Sequence, residues 1–136
     1  MSEDLASRVA RLEARAEIEE LVARYTLHAA AAEVEALAGL FTVDGVFHAR
    51  SGSVRGQAPL VEFFARSLNP GTTVPIAGQI HVRFASAERA TLKCLMATTF
   101  SDGKPGGFCG HYDDELEREG GEWKFASRNF TFYHAV

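Results

Sequence analysis

Apolar positions follow a helical rhythm in the first half of this chain and alternate in the second half. Leu5, Val9 and Leu12 recur at helical spacing, and Ile18, Leu21, Val22 and Tyr25 continue the pattern after a break expected near residues 14–16. The alanine run at 29–32 suits a helix end that passes close to other backbone. Val34, Leu37, Leu40 and Phe41 predict a short second helix, followed by a brief extended piece over residues 45–50. Leu60, Phe63, Phe64 and Leu68 form the stripe of a third helix, which Asn69-Pro70-Gly71 stops. Residues 74–84, 89–100, 107–118 and 122–133 then read as long strands, parted by turn signals such as Asp102-Gly103 and Gly120-Gly121. Helices set apart before consecutive antiparallel strands predict an α+β fold, with the helices packed on one face of a curved sheet.

The last strand departs from a one-sided pattern. Under regular alternation Trp123, Phe125 and Tyr133 point one way, while Arg128, Phe130 and Phe132 point the other. A sheet with one wet face would not carry aromatics on both sides. The second face is therefore expected to be covered by another copy of the chain, giving a homo-oligomer, dimer or trimer, through the sheet.

Composition narrows the function classes. With 136 residues the chain makes one domain, 1–136, large enough for a core of its own. A formal net charge of −4 with intermixed signs gives no basic stripe for nucleic acid. No run is long and apolar enough to cross a bilayer, and the amino-terminal residues lack the basic start and apolar core of a secretory signal. These features predict a cytoplasmic protein whose Cys94 and Cys109 remain free thiols. No phosphate loop or strong metal motif is present, so no cofactor is implied.

Taken in order, several segments resemble the SnoaL-like branch of the nuclear-transport-factor-2-like superfamily, which includes scytalone dehydratase, hexachlorocyclohexane dehydrochlorinase and polyketide cyclases. They are residues 15–25, Leu40-Phe41 followed by Asp44, Gly56 ahead of the third helix, Ile80-His81, and the hairpin from Gly110 to Arg128. The resemblance implies a cone: three helices on the concave face of a bent sheet, a cystatin-like α+β roll enclosing an apolar pocket open at one end. It also implies a proton-moving, cofactor-free lyase, isomerase or cyclase acting on an apolar carbonyl-bearing small molecule. His81 matches the family's general base, Arg128 a pocket arginine, and Tyr25 the tyrosine that supports an oxyanion in ketosteroid isomerase. That enzyme is also a stock example of such a site. The two carboxylates that usually move the proton fall on Ala30 and Ala49.

The residues leave competing readings open. On alternation alone His81 faces solvent with Gln79 and Arg83, whereas the resemblance turns that face into the pocket and gives Ile80, Val82 and Phe84 to an interface. An imidazole acting as base also needs an orienting carboxylate, for which Glu33, Asp44 and Asp114 are the candidates. Arg128 among phenylalanines requires a partner, either Asp114 or a group on a ligand. Tyr112, Asp114, Phe130 and Phe132 are the expected substrate-contacting residues. Cys109, His111 and Asp113 alternate onto one face, where a solvated polar edge competes with a metal patch. His28, His48 and His134 read as surface or rim residues. A chain that keeps the cone and lacks both carboxylates also fits a non-catalytic ligand-binding or assembly module.

Overall fold

The computed structural model describes residues 3–100 and 106–136; the expected turn at Asp102-Gly103 lies outside them. Helix α1 spans Leu5–Ala31 without interruption. Its start is fixed by Asp4, whose side chain accepts from the Ser7 amide at 2.8 Å. Ala32 closes it in the left-handed conformation (φ 54°). The break expected near residues 14–16 is absent, because alanine and arginine are among the strongest helix formers. What changes there is the environment. Leu5, Val9 and Leu12 are exposed, whereas Ala14, Ile18, Leu21, Val22, Tyr25 and Ala29 are buried. The alanine end lies against other backbone as expected, since Ala30 O accepts from the Gly71 amide at 2.9 Å.

Helix α2 is a single turn, Val34–Ala38, that buries Leu37 and Ala38. Phe41, expected in this helix, instead opens strand β1 (Phe41–Ala49), which forms a hairpin with β2 (Gly52–Arg55). Helix α3 (Gln57–Ser67) buries Leu60 and Phe64. Strands β3 (Thr73–Phe84), β4 (Arg89–Phe100), β5 (Gly107–Glu119) and β6 (Glu122–Ala135) complete a six-stranded sheet of order β2-β1-β6-β5-β4-β3. The four long strands pair antiparallel as anticipated, while β1 joins the edge of β6 in parallel. The result is an unclosed α+β cone of cystatin-like form. Its concave face carries the core, which runs from Ile18 and Tyr25 through Phe41 and Phe125 to Leu92 and Leu116.

Two irregularities in β6 correct the two-faced picture of the last strand. Phe125 pairs with Leu116 and Ser127 with Glu115, so Ala126 is an extra residue. Such a bulge shifts the alternation by one position. Trp123 and Phe125 therefore share the concave face with Arg128, Phe130 and Phe132 instead of opposing them. A second bulge, at Tyr133, turns that ring outward against His111. Gly110 allows this close passage, because a Cβ there would run into the Thr131 carbonyl oxygen and the Phe130 ring. The hairpin turn itself rests on Gly120 (φ 61°) and Gly121 (φ 83°), both left-handed, as a two-residue turn requires. Of the aromatics that implied a covered outer face, all but Tyr133 thus belong to the inner one. No helix among the described residues is long and apolar enough to cross a membrane.

Candidate functional site

The concave sheet, the end of α1 and helix α3 enclose a cavity of about 370 Å³. Its walls are chiefly aromatic: Phe47 from β1, Phe63 and Phe64 from α3, Phe108 from β5 and Phe130 from β6. These positions follow from local pattern, since strand residues two apart share a face and Phe63 and Phe64 sit on the inner arc of a short helix. Phe47 and Phe63 stack at a tilt with centroids 5.5 Å apart. The polar residues of the lining are Tyr25, Ser67, Thr73, Thr98 and Tyr112, with Arg50 and Ser51 at the outer end.

Beneath this cavity lies a buried ion pair. Arg128 is 1% exposed and Asp114 3%, and Arg128 Nε donates to Asp114 Oδ1 at 3.0 Å. The guanidinium carbon stands 3.6 Å from the Tyr112 ring centre, 4.3 Å from that of Tyr25 and 4.4 Å from that of Phe125. Rings on several sides attract the cation through their π-faces while keeping water away. The pairing is incomplete: Nη1 and Nη2 of Arg128 and Oδ2 of Asp114 have no hydrogen-bond partner among the described residues. Burial is the main influence on the carboxyl. It pushes Asp114 up to about 6 against the opposing pull of Arg128. Burial also raises the Tyr112 hydroxyl, and it raises that of Tyr25 well above its ordinary value. The two hydroxyls are hydrogen-bonded to each other.

The expected site residues divide between two faces. Tyr25, Tyr112 and Phe130 line the cavity, and Asp114 with Arg128 lies directly behind the two tyrosines. Phe132 contributes indirectly, by carrying Arg50 on its ring at 4.0 Å. His81 does not belong to this group. It pairs with Lys93 on the outer face and is exposed, within a shallow polar groove shared with His48, Arg83 and Asn129. Ile80, Val82 and Phe84 pack on the core, so the alternation reading holds and the pocket position expected for His81 is corrected. A bulge in β3 between Ala77 and Ile80 resets the register, and the residue opposite the cavity-lining Met96 is Ala77. Glu33 is committed to His28 at 3.2 Å, and the exposed Asp44 carries Arg55 on its carbonyl oxygen, so neither orients His81.

Of the two alanines at carboxylate positions, Ala49 lines the cavity; at the other, it is Ala29, next to Ala30, that does so. Among the described residues no carboxylate or imidazole lines the cavity. The expected polar edge on β5 resolves into pairs. His111 Nε2 lies 2.8 Å from Asp113 and its Nδ1 2.5 Å from the Tyr133 hydroxyl, while Cys109 Sγ sits 3.5 Å from His134 Nε2. No group among the described residues has the arrangement of a metal site. Sequence reasoning missed Arg50 and Thr98. Nothing in local pattern marks a residue in a two-residue turn as part of a cavity formed by distant elements.

A curved, unclosed sheet with three helices and a cavity at its open end defines the cystatin-like class of α+β cones. Residues 10–129 match the SnoaL-like domain, and the chain belongs to that family. Solved structures with the same fold include an NTF2-like protein from Novosphingobium aromaticivorans, 25% identical, with 97% of this chain and 92% of that one covered at a TM-score of 0.84. A putative scytalone dehydratase from the same organism is 21% identical over 95% of this chain and 90% of that one, with a TM-score of 0.84. A hexachlorocyclohexane dehydrochlorinase of Novosphingobium barchaimii is 19% identical, covering 95% and 92%, with a TM-score of 0.81. No curated protein sequence matches the chain.

Proposed function

We propose that this chain binds an apolar, ring-bearing small molecule in its cavity and that the hydrogen-bonded Tyr25–Tyr112 pair donates one hydrogen bond to a carbonyl oxygen on it. The observation behind this reading is the pairing of aromatic walls with two protonated tyrosine hydroxyls in a space of about 370 Å³. Small-molecule pockets combine an apolar lining with a few convergent polar groups in this way, at volumes of roughly 300–1,000 Å³. A matched pair of probes, 1-tetralone and tetralin, differs only by the carbonyl. Isothermal titration should show a preference for the ketone of about tenfold, as one neutral hydrogen bond provides. That preference should vanish in the Tyr25→Phe/Tyr112→Phe double variant. A ketone preference that survives both substitutions refutes the assignment.

A second reading, cofactor-free proton transfer of the lyase or isomerase kind, has one specific support. Asp114, held up to about 6, leaves one oxygen unpartnered beside Arg128, whose cation faces the Tyr112 ring. On this reading Tyr112 donates to a carbonyl oxygen as hydroxide from solvent removes an α-proton and the oxygen gains charge, with Arg128 stabilising that charge through the tyrosine. Binding takes precedence because the described lining offers no base. Exchange of the α-hydrogens of 1-tetralone for deuterium, followed by NMR, separates the two. Acceleration lost in Arg128→Met and Tyr112→Phe establishes catalysis, and exchange at the solvent rate removes it.

We also propose a homo-oligomer through the outer sheet face, supported now by the exposed Ile76 and Leu95 rather than by β6. A monomer in sedimentation velocity at micromolar concentration rejects it.

A further inference from the structure

Arg50 sits in the turn between β1 and β2, at the solvent-exposed end of the cavity, whereas Tyr25 and Tyr112 at the inner end are almost fully buried. Among the described lining residues it is the one that carries a charge. Its guanidinium carbon lies 4.0 Å above the Phe132 ring, a geometry that holds a flexible cation in place while leaving its N–H edge free for a ligand. No carboxylate of the described residues pairs with it. Ser51, next in the chain, adds a hydroxyl at the same rim. In a chain of net charge −4, an uncompensated cation at the mouth of an aromatic cavity is a specific feature.

We infer that the cavity selects amphipathic ligands, with an apolar ring body inside and an anionic group, a carboxylate or sulfonate, directed outward onto Arg50. This rests on the pocket-binding reading and adds the ligand's charge and orientation to it. A planar guanidinium donates two parallel hydrogen bonds to such an oxyanion, and Phe132 has already fixed the side chain where the anion would emerge. Because Arg50 is exposed, the interaction must weaken as salt is added.

Two fluorescent probes make the test direct. N-phenyl-1-naphthylamine is neutral, and 8-anilinonaphthalene-1-sulfonate is the same skeleton with an added sulfonate. Titrations at low ionic strength would use the wild type, Arg50→Gln, the remote control Arg8→Gln and the cavity-filling Ala49→Trp. The expected result is sulfonate binding about tenfold tighter than the neutral dye in wild type and Arg8→Gln. The advantage should be lost in Arg50→Gln and reduced by added salt, while the neutral dye binds Arg50→Gln unchanged. If the neutral dye binds and Ala49→Trp blocks it, yet the sulfonate gains nothing or keeps its advantage in Arg50→Gln, the anion inference is overturned and the pocket reading stands. If neither dye binds, or Ala49→Trp affects neither, the pocket reading is overturned and this inference falls with it.

Discussion

Replacing Asp114 by asparagine should stabilise this protein at neutral pH, although Asp114 forms its most buried ion pair. Burial raises the Asp114 carboxyl from 3.8 to about 6 despite the neighbouring Arg128, so the folded state favours the neutral acid. A folded pKa above the unfolded value contributes stability that is fully present below the unfolded pKa. That contribution is lost as pH rises through the folded one. The window therefore runs from about pH 4 to about pH 6. A shift of roughly two units at 1.36 kcal/mol each is worth about 3 kcal/mol, with no discount for solvent because the group is 3% exposed. Asparagine is neutral throughout and nearly the same shape, so Asp114→Asn does not undergo this loss. Urea denaturation of both proteins at pH 4, 5, 6 and 7.5 should give similar stabilities at pH 4. At pH 7.5 the variant should lead by at most about 3 kcal/mol, equivalent to about 10 °C in Tm for a chain of this size. Other carboxylates cancel in the comparison. The prediction rests on the desolvation of the carboxylate exceeding the attraction of Arg128; removing one partner of a buried pair ordinarily has the opposite outcome, a loss of about 3–5 kcal/mol, and the comparison decides between the two. A variant that is less stable than wild type at pH 7.5, by an amount that shrinks towards pH 4, would mean that the Arg128 attraction wins and the reasoning is wrong.

Other outcomes are as concrete. Gly110→Ala should destabilise by about 3 kcal/mol or more, since the new Cβ meets the Thr131 carbonyl oxygen and the Phe130 ring; thermal circular dichroism reads this out. His81→Ala should leave the affinity for 1-tetralone within twofold of wild type, because the side chain lies on the opposite face of the sheet from the cavity; a larger loss in titration calorimetry contradicts that placement. Arg128→Met should remove the cation between the tyrosines and shift Asp114 further towards its neutral form, so any activity dependent on Arg128 disappears while folding is retained near pH 5. Folding that fails at that pH would show that the arginine is indispensable to the core.

The three helices, the four long strands, the Gly120-Gly121 turn and the α+β class were legible in the sequence, because apolar period and turn chemistry act over a few residues; the hairpin strand β2 and the start of β1 at Phe41 were not. Alternation also put Tyr112 with Asp114 on one face of β5 and Arg128 with Phe130 on one face of β6, whereas Tyr25, on α1, was singled out only by the family resemblance. What the sequence could not carry was the phase of that alternation across a bulge. One inserted residue at Ala126 brings Trp123 and Phe125 to the side of Arg128, and one between Ala77 and Ile80 changes the register of β3 against β4. Bulges arise from how neighbouring strands twist and register against each other, so their position is a property of pairing. The same holds for Arg50, whose place at the cavity mouth depends on Phe132, 82 residues later in the chain. Local pattern determined the elements and which residues could carry chemistry; only the tertiary structure decided which of them face the cavity, because a face is shared between strands and no single strand defines it.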